Sequence, residues 1–133
     1  MSHNHAVVWL DHREARVIDF SVDAVHKATV RSHAADRQIH HRSGSVSGTH
    51  APDDLKFFDE ICTAIGDAKE VLVVGPGQAK LGFRHHLDDR HKDLARRVVG
   101  VETLDHPGDG ELLANARKYF AKVDRMLGDQ GQA

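Results

Sequence analysis

The sequence predicts a single α/β domain, and three observations carry that prediction. Short Val-rich apolar runs of strand length occur at residues 6–10 and 70–74. Apolar residues recur at helical spacing after Pro52, after Gln78 and from Leu112 onward. The chain is 40% hydrophobic but only 5% aromatic, so its interior is built from Val, Leu, Ile and Ala, as in layered sheet and helix folds. With 133 residues, the domain is expected to span 1–133 around one core. Chains of this size bury roughly two-thirds of their unfolded surface without disulfides or a structural metal.

In order, residues 6–10 read as a strand ending in the polar turn Asp11-His12-Arg13. Residues 14–20 return as the second arm of a hairpin, with Ala15 and Val17 on one face and Ile18 and Phe20 on the other, so the buried face stays open. Residues 25–31 form a third strand, with Val25, Lys27, Thr29 and Arg31 sharing a face. From about residue 32 to 51 the chain is polar and without helical period, the pattern of a mobile surface loop. Pro52, Asp53 and Asp54 suit a helix start, since proline fits the first turn and carboxylates complement the helix dipole. Leu55, Phe58, Ile61, Cys62 and Ile65 form the apolar stripe, and Gly66 ends the helix.

The unbroken run at 70–74 before Gly75-Pro76-Gly77 predicts a central strand buried on both faces. A helix follows from about Gln78 with Ala79, Phe83 and Leu87 inward, although Gly82 costs about 1 kcal/mol relative to alanine. A short helical turn at 92–96 leads to a strand over 97–104 and the turn Asp105-His106-Pro107-Gly108. Leu112, Leu113, Ala116, Tyr119, Phe120, Val123, Met126 and Leu127 then make one stripe on a final helix that Gly128 closes, leaving a frayed tail at 129–133.

Composition excludes several classes. Cys62 is the sole cysteine, so no internal disulfide forms, and the first residues lack the basic and apolar regions of a signal peptide. No stretch approaches the roughly 20 apolar residues of a bilayer span, so a cytoplasmic protein without membrane contact is expected. A net charge of −2 argues against a generic nucleic-acid coat and confines any nucleic-acid contact to local patches. The twelve histidines read mainly as solvated surface residues that gain charge as pH falls toward 6.

The segments Val7-Val8-Trp9-Leu10-Asp11, Val71-Leu72-Val73-Val74-Gly75-Pro76-Gly77 with Lys80 after the glycine turn, and VGVETLDHPGDGELLANARKYF carry a resemblance. The chain resembles the middle domain of archaeal and eukaryotic peptide-chain release factors and Pelota, and more closely the small bacterial translational machinery proteins. The likeness covers residues 6–119. It implies a ribonuclease H-like, mixed five-stranded sheet in the order βββαβαβα with helices on its faces. Release factors carry a hydrolytic Gly-Gly-Gln tip in the loop between the third strand and the first helix. Here that loop reads HHRSGSVSGTHAPDD, and the pairs Gly77-Gln78 and Gly131-Gln132 lie elsewhere. Flanking stop-codon-reading and partner-binding domains are not expected in this chain, so the implied translation role is an accessory one.

Two functional readings follow. In the first, the chain is a non-enzymatic, translation-associated module contacting ribosome, tRNA or rRNA, with no cofactor and no metal. Its phosphate contacts would be Lys80, Arg84, Arg90, Lys92, Arg96 and Arg97 with Arg42 of the polar loop, Arg31 and Arg37 adding charge. Asp36, Asp88, Asp89 and Asp93 dilute that patch. The alternative is a divalent-metal nuclease or phosphoesterase, because ribonuclease H-like nucleases hold two ions on carboxylates that Asp11, Glu60 and Asp105 would supply here.

Other constellations have plain explanations beside their functional ones. Gly75-Pro76-Gly77 with Lys80 offers amides and an ammonium to a phosphate, yet a tight turn entering a helix accounts for the same residues. His40, His41 and His50, with His33, are nitrogen donors for zinc or nickel but match no zinc spacing. His85, His86 and His91 form a second cluster, read as a solvated helix face. Cys62 on its apolar stripe reads as a small buried hydrophobe. The exposed hairpin edge offers a surface on which two copies would pair as a homodimer.

Overall fold

A computed structural model describes residues 5–32 and 52–131. The elements are β1 (His5–Leu10), β2 (Glu14–Phe20), β3 (Val25–Arg31), α1 (Pro52–Ile65), β4 (Glu70–Gly75), α2 (Ala79–Arg90), α3 (Lys92–Ala95), β5 (Val98–Thr103) and α4 (Asp109–Gly131). The five strands form one sheet in the order β3-β2-β1-β4-β5. β1, β2 and β3 pair antiparallel, whereas β1 with β4 and β4 with β5 pair parallel. This is the mixed α/β sheet with helices on its faces that the sequence and its resemblance imply.

β1 and β4 sit at the centre because their side chains are apolar on both faces, and only a doubly covered strand tolerates that. Ala6, Val8 and Leu10 of β1 and Val71 and Val73 of β4 face α1, α2 and α3. Val7 and Trp9, with Leu72 and Val74, face Leu112, Ala116 and Phe120 of α4. The open question at β2 resolves the same way: Ala15 and Val17 pack on the α1 side and Ile18 and Phe20 on the α4 side. β3 is an edge strand; Val25, Lys27, Thr29 and Arg31, expected to share one face, are all exposed.

Gly66, at φ 64°, ends α1 as expected, its amide donating to the Cys62 carbonyl at 3.2 Å. The final helix departs from expectation. It runs through Gly128 to Gly131, so the tail anticipated at 129–133 begins inside it. A glycine within a helix costs only about 1 kcal/mol, too little to stop a helix anchored over its first three turns. The polar loop, with His33, Arg37, His40, His41, Arg42 and His50, lies outside the described residues.

Candidate functional site

α1 and α2 lie on the same side of the sheet, and their contact brings together the most chemically distinctive group among the described residues. Phe83 and Leu87 bury α2 against the sheet, and helical spacing places His86 beside them, 5% exposed. The His86 ring packs against Phe58 of α1 with centroids 5.4 Å apart. At the end of α2, His91 leaves helical geometry at φ −135° and ψ 63° while its amide still closes the last turn on Leu87. That break before α3 turns the His91 ring back toward His86, centroid to centroid 5.2 Å.

Asp59, one residue beyond Phe58 on α1, completes the group. The Nε2 atoms of His86 and His91 each lie 2.8 Å from Asp59 Oδ1. The hydrogen bond from His91 is the largest influence holding the Asp59 carboxyl below its ordinary range; burial opposes it, and His86 reinforces it. One turn on, burial and then the Asp59 charge push the Cys62 thiol up to about 12. That shift makes the thiol a poor nucleophile near neutral pH, in keeping with the packing role expected for it.

The sequence grouped His85, His86 and His91. The structure keeps the last two, exposes His85, and adds Asp59, 27 and 32 residues distant from its partners. Its one signal in the sequence is the acidic pair Asp59-Glu60 set between Phe58 and Ile61 of the apolar stripe.

The cations expected to meet phosphate fall into two sets. Lys80 is buried, and its ammonium donates to the Gly77 carbonyl at 2.6 Å. Arg84 donates to the Ala95 carbonyl at 3.1 Å and pairs with Asp88 at 3.1 Å. Arg97 donates to the Ala68 carbonyl at 2.5 Å and lies 3.6 Å from Asp93. Lys80 and Arg84 brace α2 against the Gly77 turn and the end of α3, and Arg97 ties the segment before β5 to the loop after α1. Arg90, Lys92 and Arg96 are exposed instead, and Lys92 and Arg96 line a shallow groove of about 310 Å³ with Arg84 and Asp88.

Gly75-Pro76-Gly77 has a packing explanation. A Cβ on Gly75 would fall on the Leu10 carbonyl oxygen, so the parallel approach of β1 and β4 requires glycine there.

The three carboxylates of the nuclease reading are differently placed. Asp11 Oδ1 accepts the amides of Arg13 and Glu14 at 2.8 and 3.0 Å and so caps the β1–β2 turn. His106 stands between Asp11 and Asp105, 3.7 Å from Asp11 Oδ2 and 3.1 Å from Asp105 Oδ1. Glu60 lies on α1, on the other side of the sheet from α4. Among the described residues, Asp59, His86 and His91 are the group whose ligand atoms gather within 4.8 Å; Asp11, Glu60 and Asp105 do not form one. A cavity of about 560 Å³ beside Asp105 and His106 is bounded by Leu104, Pro107, Glu111 and Lys118.

None of the described helices is long and apolar enough to cross a membrane. No family model matches the chain. Over 78 residues, 58% of its length, the chain is 31% identical to a protein pelota homolog of Methanococcus aeolicus, of which the match covers 22%. Its fold matches the crystal structure of Archaeoglobus fulgidus Pelota with TM-score 0.62 and 19% identity, over 94% of this chain and 33% of that one. It also matches an archaeal translation termination factor with TM-score 0.53 and 15% identity, over 95% of this chain and 39% of that one. The chain thus spans about a fifth of the curated relative and between a third and two fifths of the solved structures, and over that part it is similar to Pelota and release-factor-like proteins.

Proposed function

We propose that this chain is a non-enzymatic, cytoplasmic module of the translation apparatus that contacts the ribosome through RNA phosphates. The observation that carries the reading is the 31% identity to a pelota homolog over 78 residues, joined to a shared fold. The sequence contains no Gly-Gly-Gln tripeptide, which favours binding over peptidyl-tRNA hydrolysis. Arg90, Lys92 and Arg96 are the contacts best suited to phosphate, since they face solvent along α3 and at its two ends. Arg84 and Arg97 would support them, Arg42 would add charge from the polar loop, and Lys80 would act only through the turn it braces.

Co-sedimentation with ribosomes at low salt tests this reading. The wild-type chain is expected in the ribosomal fractions, and a variant with Arg90, Lys92 and Arg96 all changed to Gln is expected to leave them. Wild-type protein absent from every ribosomal fraction would overturn it.

A further inference from the structure

We propose that Asp59, His86 and His91 form a zinc-binding site that joins α1 to the α2–α3 junction. The inference stands apart from the translation reading, because it uses none of the cations invoked there. Two imidazole nitrogens and one carboxylate oxygen are a donor set that suits Zn²⁺, with the fourth position left to water.

The geometry is close to what the ion needs. All three donor atoms lie within 4.8 Å of one another, and each Nε2 is 2.8 Å from Asp59 Oδ1. Zinc bonds of about 2.0–2.2 Å in a tetrahedron separate neighbouring donors by about 3.3–3.5 Å. Each Nε2–Oδ1 separation therefore opens by roughly half an ångström to admit the ion, a shift within reach of small side-chain rotations.

The trio is also held in advance of binding. His86, its side chain 4% exposed, is fixed by Phe58 and directs Nε2 at the carboxylate. His91 and Asp59 have side chains 34% and 56% exposed, which leaves a path for the ion and for the fourth, water ligand. Binding takes the lone pair of each Nε2, so any proton there moves to Nδ1 or to solvent. The ion then replaces two hydrogen bonds to one oxygen with three coordinate bonds across two helices. α1 becomes tied to the segment that presents Arg90 and Lys92.

The test is titration of the metal-stripped full chain with Co²⁺ as a spectroscopic substitute for Zn²⁺, followed by displacement with Zn²⁺. One equivalent is expected, with the intense visible bands of a four-coordinate ion. His91→Ala and Asp59→Asn should each weaken binding by about tenfold or more, since loss of even an outer-shell partner costs that much. A variant with His33, His40, His41 and His50 changed to Ala should bind as wild type does. Zn²⁺ should raise the melting temperature of the wild-type chain and of this loop variant, but not of His91→Ala. Absence of a one-equivalent complex overturns the proposal, as does binding unchanged in Asp59→Asn and His91→Ala. Binding lost in the loop variant also overturns it, by assigning the ion to those histidines.

Discussion

Asp59 holds two imidazoles on a single carboxylate oxygen while more than half of its side chain remains in solvent. The hydrogen bond from His91 lowers its carboxyl below the ordinary value of 3.8. A carboxyl depressed in the folded state contributes stability that is fully present above its unfolded value and fades as pH falls through the folded one. The stability difference between wild type and Asp59→Asn, measured by urea unfolding, is therefore expected to be fully developed at about pH 5. It should shrink steadily below about pH 4. A difference that grows as pH falls would contradict this. Cys62 gives a second prediction, since burial and the Asp59 charge push its thiol up to about 12. At pH 8 the thiolate is then scarcer than in an unfolded chain by on the order of a thousandfold. Greater nucleophilicity at higher pKa recovers part of that loss. Labelling of native protein by an aromatic disulfide should run about 10- to 100-fold slower than in urea, and equal rates would contradict the burial described.

At the scale of elements, the parallel pair β1–β4 depends on one missing side chain. Val74 pairs with Trp9, so Gly75 arrives beside Leu10. There a Cβ would strike the Leu10 carbonyl, a backbone atom that moves only with its strand. Gly75→Ala is expected to destabilise the domain by about 1–3 kcal/mol, the usual cost of overpacking. Nothing lies within 4 Å of the position a Cβ would take on Gly77, so Gly77→Ala should fall within about 0.5 kcal/mol of wild type. Urea midpoints of the two variants decide it, and equal losses would place the turn itself, rather than the strand approach, in control. The same strands show why part of the fold was legible in the sequence. β1 and β4 are covered on both faces, so each reads as an unbroken apolar run without knowledge of its neighbours. The apolar run of β5 overstates its burial, because the strand lies at an edge and its residues are half-buried or exposed. Phe57 was missed on α1 because that helix buries a wider arc than its predicted stripe. Asp59 was missed for a different reason: periodicity within one helix carries no information about a side chain 27 residues away on another.

Across the whole molecule, function depends on how the two sheet faces divide the charges. α4 covers one face, and the paired Asp11, His106 and Asp105 lie near its start, at the carboxyl ends of β1 and β5. α1, α2 and α3 cover the other, so the Asp59 trio and the exposed Arg90, Lys92 and Arg96 belong to one side. With a net charge of −2, the molecule as a whole does not attract RNA, and association depends on those few local cations. Each phosphate contact contributes about −0.9 to the slope of log affinity against log salt on a duplex, and about −0.7 on a single strand. Two or three such contacts predict a loss of about 10- to 40-fold in duplex-RNA affinity between 50 and 200 mM salt. Changing Arg90, Lys92 and Arg96 together to Gln should weaken binding at 50 mM salt and flatten that slope toward zero, as read by fluorescence anisotropy on a labelled ribosomal RNA helix. A slope unchanged in the triple variant would move the contact off α3 and its two ends. The polar segment that carries Arg42 would then be tested next, because Arg42 is the proposed contact outside residues 80–97.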